Sequence, residues 1–223
     1  MSKDKRYYQK QVETIAEVEK LDRKPKLLLH ACCAPCSSTC LYILHNYFDV
    51  TIYYTNSNIY PSSEYQRRFD ELKSFLPKFN SDFNCSINLI EDLYDNQVFS
   101  KKICHLKDEP EGGKRCELCY AIRIKNALEF ASKHGFEFVT TSLTLSRQKN
   151  SIKINQIAKE LSKNYPTIVY FFSDFKKNGG IDLSLKLTKQ YDMYRQDYCG
   201  CIYSYQKRNL RKQNTSKNES LEI

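Results

Sequence analysis

The chain has 223 residues, 41% of them hydrophobic, which is enough for one core with at most a small appendage. It holds ten cysteines and a formal net charge of +9. No apolar run of about eighteen residues is present, and the opening stretch MSKDKRYYQKQ lacks the apolar centre of a signal peptide, so a cytoplasmic location is expected, without export or membrane spanning.

In a reducing compartment clustered cysteines serve as metal ligands or redox thiols more often than as structural disulfides. The positive charge is concentrated at the ends. Residues 1–26 carry eight Lys or Arg against five Asp or Glu, and residues 206–223 carry five against two, so each end contributes +3. Such ends can reach a phosphate backbone or simply keep the protein in solution.

Residues 5–22 place Tyr8, Val12, Ile15, Ala16 and Glu19 near a weakly apolar stripe, which predicts an accessory helix in an N-terminal extension, residues 1–26. LLLH follows as a short buried strand, then the turn ACCAP, then a helix over Ser37–Phe48. DVTIYYT is a second strand. SSEYQRRFDELKSFLPKF is a helix with Tyr65, Phe69, Leu72 and Phe75 or Leu76 on one side. INLIE is a third strand, and residues 95–115 form a long polar connection of the kind that is functional or disordered.

From Cys116 to Gly135 the pattern is helical, with Ile122, Ala127, Leu128 and Ala131 facing the core and Gly135 suited to the C-terminal cap. FEFVTT is a fourth strand, residues 150–164 a helix, TIVYFFS a fifth strand and IDLSLKLTKQYDMY a last helix before YCGC. The basic tail over residues 206–223 has no apolar period and is expected to be disordered after its first turn.

Five rounds of strand and helix predict an α/β catalytic domain over residues 27–205, a doubly wound parallel sheet covered on both faces. Sites in such sheets lie beyond the carboxyl ends of the strands. Cys32, Cys33 and Cys36 follow the first strand, Asn56 and Asn58 the second, and Thr140 to Thr144 the fourth, so these segments should meet at one edge.

Three cysteine groups carry chemistry. Cys116 and Cys119 form a CxxC at a helix start, where residues three apart share a face and the free N–H groups favour thiolate. A second pair from the Cys32–Cys33–Cys36 turn would complete four thiolates, a set that suits zinc or a 4Fe-4S cluster; spacing does not choose between them. Cys32 and Cys33 can reach one metal only if the backbone turns between them. Cys199 and Cys201 flank Gly200 in a CxC, a redox pair or two more metal ligands. Cys40, Cys85 and Cys104 have no comparable partner, and of the four histidines only His30 adjoins the cysteine turn.

In order, HACCAPCSS, TNSNIYPSSEYQRR, RCELCYAIR, TTSLTLSRQKN and YRQDYCGCIYS together resemble the epoxyqueuosine reductases of the QueH type, over Leu27 to Ser204. The resemblance implies a cobalamin-independent iron–sulfur oxidoreductase that converts epoxyqueuosine in the tRNA anticodon loop to queuosine, the last step of queuosine biosynthesis. It implies a fold like that of the adenine nucleotide alpha hydrolase and PP-loop (HUP) group. HACCAPCSS stands where that wider group keeps an SGGxDS phosphate loop, so ATP use is not expected.

Carried over, the cluster ligands fall on Cys32, Cys33, Cys116 and Cys119, and the redox-active pair on Cys199 and Cys201. Cys36 is left over and, with Cys199 and Cys201, is a candidate for a second metal ion. Tyr65, Arg68, Arg115, Arg123 and Arg195 match motif positions as candidate contacts to phosphate or the modified base, and Asp197, Tyr198 and His30 are candidates for the acid. The expected partners are the tRNA and an unidentified electron donor. Two other classes use the same residues: a zinc-stabilised RNA-binding protein and a general thiol–disulfide oxidoreductase.

Overall fold

In the computed structural model residues 6–219 are described, with side chains through Asn214, and readings that fall on residues 1–5 and 220–223 lie outside them. Five strands, β1 (Lys26–His30), β2 (Asp49–Tyr54), β3 (Asn88–Glu91), β4 (Phe138–Thr141) and β5 (Val169–Tyr170), form one parallel sheet in the order β3-β2-β1-β4-β5. The chain therefore winds outward from β1 to β3, then returns to the other side of β1 for β4 and β5. This is the doubly wound sheet that the strand–helix alternation predicts.

The strand residues divide by their two-residue period. Leu27 and Leu29 enter a core with α2 (Ala34–Leu44), α3 (Ser62–Phe83) and α7 (Gly180–Gln190). Leu28, Tyr53 and Val139 face the opposite side, against α5 (Lys114–Lys133) and α6 (Ser151–Ser162). All three leucines of β1 are fully buried, as expected for a central parallel strand covered on both faces.

Several expectations change. α1 (Arg6–Val18) buries Tyr7, Gln11 and Val18, while Val12 is exposed and Tyr8 only half-buried. The stripe is set by polar docking: the Tyr7 ring stacks on Phe172, and the Gln11 side-chain oxygen accepts from the Asp174 backbone N–H at 3.1 Å. α2 begins at Ala34 rather than Ser37, because Pro35 fits a first turn where no backbone N–H is required. On α5 Ala127, Leu128 and Ala131 are buried as expected, but Ile122 is half-buried and Ile124 and Arg123 are buried beside it. β5 is short, since the Ser173 N–H turns from the sheet to Asn155 Oδ1 at 3.2 Å.

The polar connection over residues 95–115 contains α4 (Asn96–Ile103) and a 3-10 turn at Cys104–Leu106. Asp95 caps α4 by accepting from the Val98 N–H at 2.9 Å, and Phe99 and Ile103, one turn apart, are buried. The tail is helical rather than disordered, as α8 (Ile202–Glu219). Its first turns are held by charge and rings: Arg208 lies 4.9 Å and 4.8 Å from the Tyr198 and Tyr205 ring centres, and Asp197 pairs with Arg208 and Lys212. No helix among the described residues is long and apolar enough to cross a membrane.

Candidate metal and redox site

The thiols gather at the carboxyl end of β1, between β2 and β4, where the sheet reverses its winding. The Ala31 N–H makes a last ladder bond to Tyr53 at 3.1 Å. The chain then turns, and Cys33, in extended conformation, becomes the N-cap of α2. The Ser37 N–H and hydroxyl both donate to the Cys33 carbonyl, at 3.1 and 2.7 Å, fixing this first turn. As a result Cys32, Cys33 and Cys36 present their sulfurs within 4.8 Å of one another, with Cys32 and Cys33 at 3.8 Å. The turn supplies what a continuing strand could not, two adjacent thiols at one site.

Cys32 and Cys33 are buried and Cys36 half-buried. Hydrogen bonds from the Cys33 and Cys36 thiols, with Lys149 and Arg123 nearby, hold the Cys32 pKa well below the usual thiol range. Those of Cys33 and Cys36 are pushed up by hydrogen bonding to Cys32 and by burial. Gln196 Nε2 also donates to the Cys33 sulfur at 3.1 Å. A set of three soft sulfurs suits iron or zinc.

Cys116 and Cys119 stand at the start of α5, one turn apart, and are outside the 4.8 Å trio. The Gly112 N–H donates to the Cys116 sulfur at 3.2 Å. Burial pushes both thiols up, that of Cys119 to about 12. One turn further on, Arg123 joins this helix to the cysteine turn. Its Nε donates to His30 Nε2 at 3.2 Å and its Nη2 to Asn56 Oδ1 at 2.6 Å, while the Asn56 amide donates to the Ala31 carbonyl at 2.7 Å.

Cys199 and Cys201 are half-buried free thiols, as all ten cysteines are free. Gly200 between them has φ +128°, and a Cβ there would lie 3.2 Å from Arg68 Nη1 and 3.3 Å from Ile59. Buried Arg68 holds the loop by donating to the Tyr198 and Cys199 carbonyls, each at 3.3 Å, and is itself paired with Glu64 at 2.7 Å. Cys199 is the junction. It lines a cavity of about 300 Å³ with Cys32, Cys36 and Lys149, and a second of about 320 Å³ with Cys116 and Cys201.

The other candidate residues divide sharply. His30 is fully buried and closed on both sides, Nδ1 to Thr141 Oγ1 at 2.7 Å and Nε2 to Arg123, so it orients the turn and is neither ligand nor acid. Burial and Arg123 push its pKa well down, keeping it neutral. Arg68, Arg115 and Arg123 are used internally, Arg115 on the Leu106, Lys107 and Glu109 carbonyls. Tyr65 donates to Glu91 at 3.0 Å. The Tyr198 hydroxyl donates to the Tyr60 carbonyl at 2.6 Å, and Asp197 is exposed and ion-paired. Only Arg195 of the five candidate contacts stands exposed at the mouth of the first cavity, beside Arg147. Cys40 is buried and donates to the Cys36 carbonyl, Cys85 is half-buried and Cys104 exposed. Lys149 and Gln196 went unnoticed in the sequence, although both fall inside the motifs RQKN and YRQDY.

The family model for the epoxyqueuosine reductase QueH matches residues 27–207. The epoxyqueuosine reductase QueH of Streptococcus pyogenes serotype M1 is 38% identical over 198 residues, 88% of this chain and 77% of the relative. That of Thermotoga maritima is 32% identical over 181 residues, 80% of this chain and 89% of the relative. Among solved structures, the U34-tRNA thiolase NcsA from Methanococcus maripaludis, with its 4Fe-4S cluster, superposes with a TM-score of 0.50 at 16% identity, over 90% of this chain and 67% of the thiolase. At that identity the likeness concerns the fold alone, a parallel sheet with helices on both faces. With its five motifs inside the matched region and five of its thiols lining two adjoining cavities, the chain belongs to the epoxyqueuosine reductase QueH family.

Proposed function

We propose that this protein is an iron–sulfur oxidoreductase that reduces the epoxide of epoxyqueuosine in tRNA to the alkene of queuosine, without cobalamin. The observation that carries the reading is the meeting of Cys32, Cys36 and Cys199 in one cavity at the switch point of the sheet, in a chain of this family. The reaction takes up two electrons and two protons and releases the oxygen as water. A 4Fe-4S cluster held by Cys32, Cys33, Cys116 and Cys119 would supply electrons one at a time.

The donor chemistry fits: only sulfur ligands stand in the trio, and Arg123 lies near both Cys32 of the trio and Cys119 of α5. The chain's own part is positioning. Arg68 and Gly200 hold Cys199 and Cys201 at the cavity, where the pair serves as the redox couple. Arg123 offsets thiolate charge while tying α5 to β1. A cavity of about 300 Å³ suits the appendage of a splayed base. Exposed Arg147 and Arg195 at its mouth suit tRNA phosphates, and the electron donor is a separate protein or small molecule.

Cys36 and Cys199 line one cavity and Cys199 and Cys201 the next, which supports an alternative to the redox couple, a second metal ion held by these three thiols. Iron, sulfide and zinc counts on anaerobically purified protein test it. The expected result is metal beyond four irons that Cys36→Ser removes; four irons and nothing further would exclude it. For the activity itself, tRNA from cells lacking the protein should accumulate epoxyqueuosine, and unchanged queuosine in the absence of another reductase would refute the reading.

A further inference from the structure

The first cavity contains a buried cation that the assignments above leave unused. Lys149 is only 9% exposed, follows the 3-10 turn Ser142–Leu145, and lines the cavity together with Cys32, Cys36 and Cys199. Its backbone is held at both ends, the N–H on the Ser146 carbonyl at 3.2 Å and the carbonyl by Lys176 Nζ at 2.8 Å. The other buried cations all have protein acceptors. Arg68 has Glu64 and two carbonyls, Arg115 three carbonyls, Arg123 His30 and Asn56. The Lys149 ammonium makes no hydrogen bond or ion pair with any described residue.

A buried ammonium has three donors, and leaving them unmet is costly. Against the opposing effect of burial, the sulfurs of Cys199, Cys32 and Cys36 around it raise its pKa. The cavity thus holds a fixed cation whose hydrogen bonds are open to whatever enters. The acid candidates offer nothing comparable, since His30 and Tyr198 donate to protein oxygens and Asp197 is paired outside.

We propose that Lys149 is the binding site for the substrate oxygen that is lost, its ammonium donating hydrogen bonds to the epoxide oxygen and then to the oxyanion formed when the ring opens. The inference rests on the reductase reading. In that reaction two electrons from a low-potential one-electron donor and two protons turn the epoxide into an alkene and water. Each C–O bond that breaks leaves its charge on the oxygen until a proton arrives, and the ammonium meets that charge. An epoxide oxygen accepts weakly and an oxyanion strongly, so the contact strengthens as the reaction proceeds.

A lysine that only balanced thiolate charge would not distinguish substrate from product. The test is therefore the affinity of anaerobically purified protein for tRNA bearing epoxyqueuosine against tRNA bearing queuosine, in the wild type, Lys149→Met and Lys149→Gln. The wild type should favour the epoxide by roughly fivefold, the value of one such hydrogen bond. Lys149→Met should bind the two tRNAs equally, with kcat lowered about 100-fold and iron content retained, whereas Lys149→Gln, which keeps a donor without the charge, should keep part of the preference. If Lys149→Met does not fold, Lys149→Leu carries the comparison. A preference that survives the loss of the donor, or a wild type with none, overturns the proposal. Wild-type protein that holds iron but reduces no epoxyqueuosine would instead overturn the activity on which it rests.

Discussion

Gly200 shows how a single backbone position governs the redox pair. At φ +128° a side chain is strained whatever the space, and here the Cβ would also press on Arg68, whose guanidinium holds the Tyr198 and Cys199 carbonyls. Gly200→Ala should lower stability by about 1–3 kcal/mol, seen as a lower urea midpoint, and should reduce turnover by displacing Cys199. The thiols themselves are separable by role. Cys201→Ser is expected to abolish reduction while the visible absorption of bound iron persists; loss of that absorption would make Cys201 a ligand instead. Lys149 and Arg123 illustrate the same scale from the charged side. Both are buried cations near thiols, but Arg123 has protein partners and Lys149 does not, which separates a positioning residue from one that meets the substrate.

At the scale of elements, the bridge between α5 and β1 is the critical joint. Arg123→Gln removes the donors to His30 and Asn56 and should cost about 2–4 kcal/mol, with iron content falling in parallel because the two cysteine groups lose their common anchor. A melting temperature and iron content equal to the wild type would show that the joint is dispensable. Periodicity was enough to find the strands and the large helices, because Leu27, Leu28 and Leu29 and the Tyr65–Phe69–Leu72–Leu76 face are buried on simple repeats. It was not enough for α4 and α8. The first is eight residues whose only apolar anchors are Phe99 and Ile103, and the second is held by Arg208 between two tyrosine rings rather than by an apolar face. The cysteine pairs were legible from type and spacing. So was the grouping of Cys36 with Cys32 and Cys33, but not that the three sulfurs lie within 4.8 Å of one another, which depends on the turn at Cys33 and on where α2 begins. Arginine roles were hidden for a related reason: the acceptors of Arg68 and Arg115 are backbone carbonyls, which no side-chain pattern reports.

Over the whole molecule, the reversal of winding at β1 and β4 brings four segments far apart in sequence to one edge, and the thiols occupy that edge. Of the charges behind the net +9, Arg147 and Arg195 stand exposed beside this edge. Arg195→Glu should weaken tRNA binding on the order of tenfold and make the slope of log affinity against log salt shallower by about 1, without altering iron content. An unchanged slope would mean that the phosphate contacts lie elsewhere. If the thiol edge removes an oxygen from a base held in tRNA, anaerobically purified, iron-containing protein incubated with epoxyqueuosine tRNA and a low-potential reductant should change the mass of the modified nucleoside, read by mass spectrometry. The wild type should remove one oxygen, giving queuosine, and Cys199→Ser and Cys201→Ser none; an unchanged nucleoside from wild-type protein that holds its iron would refute the reaction.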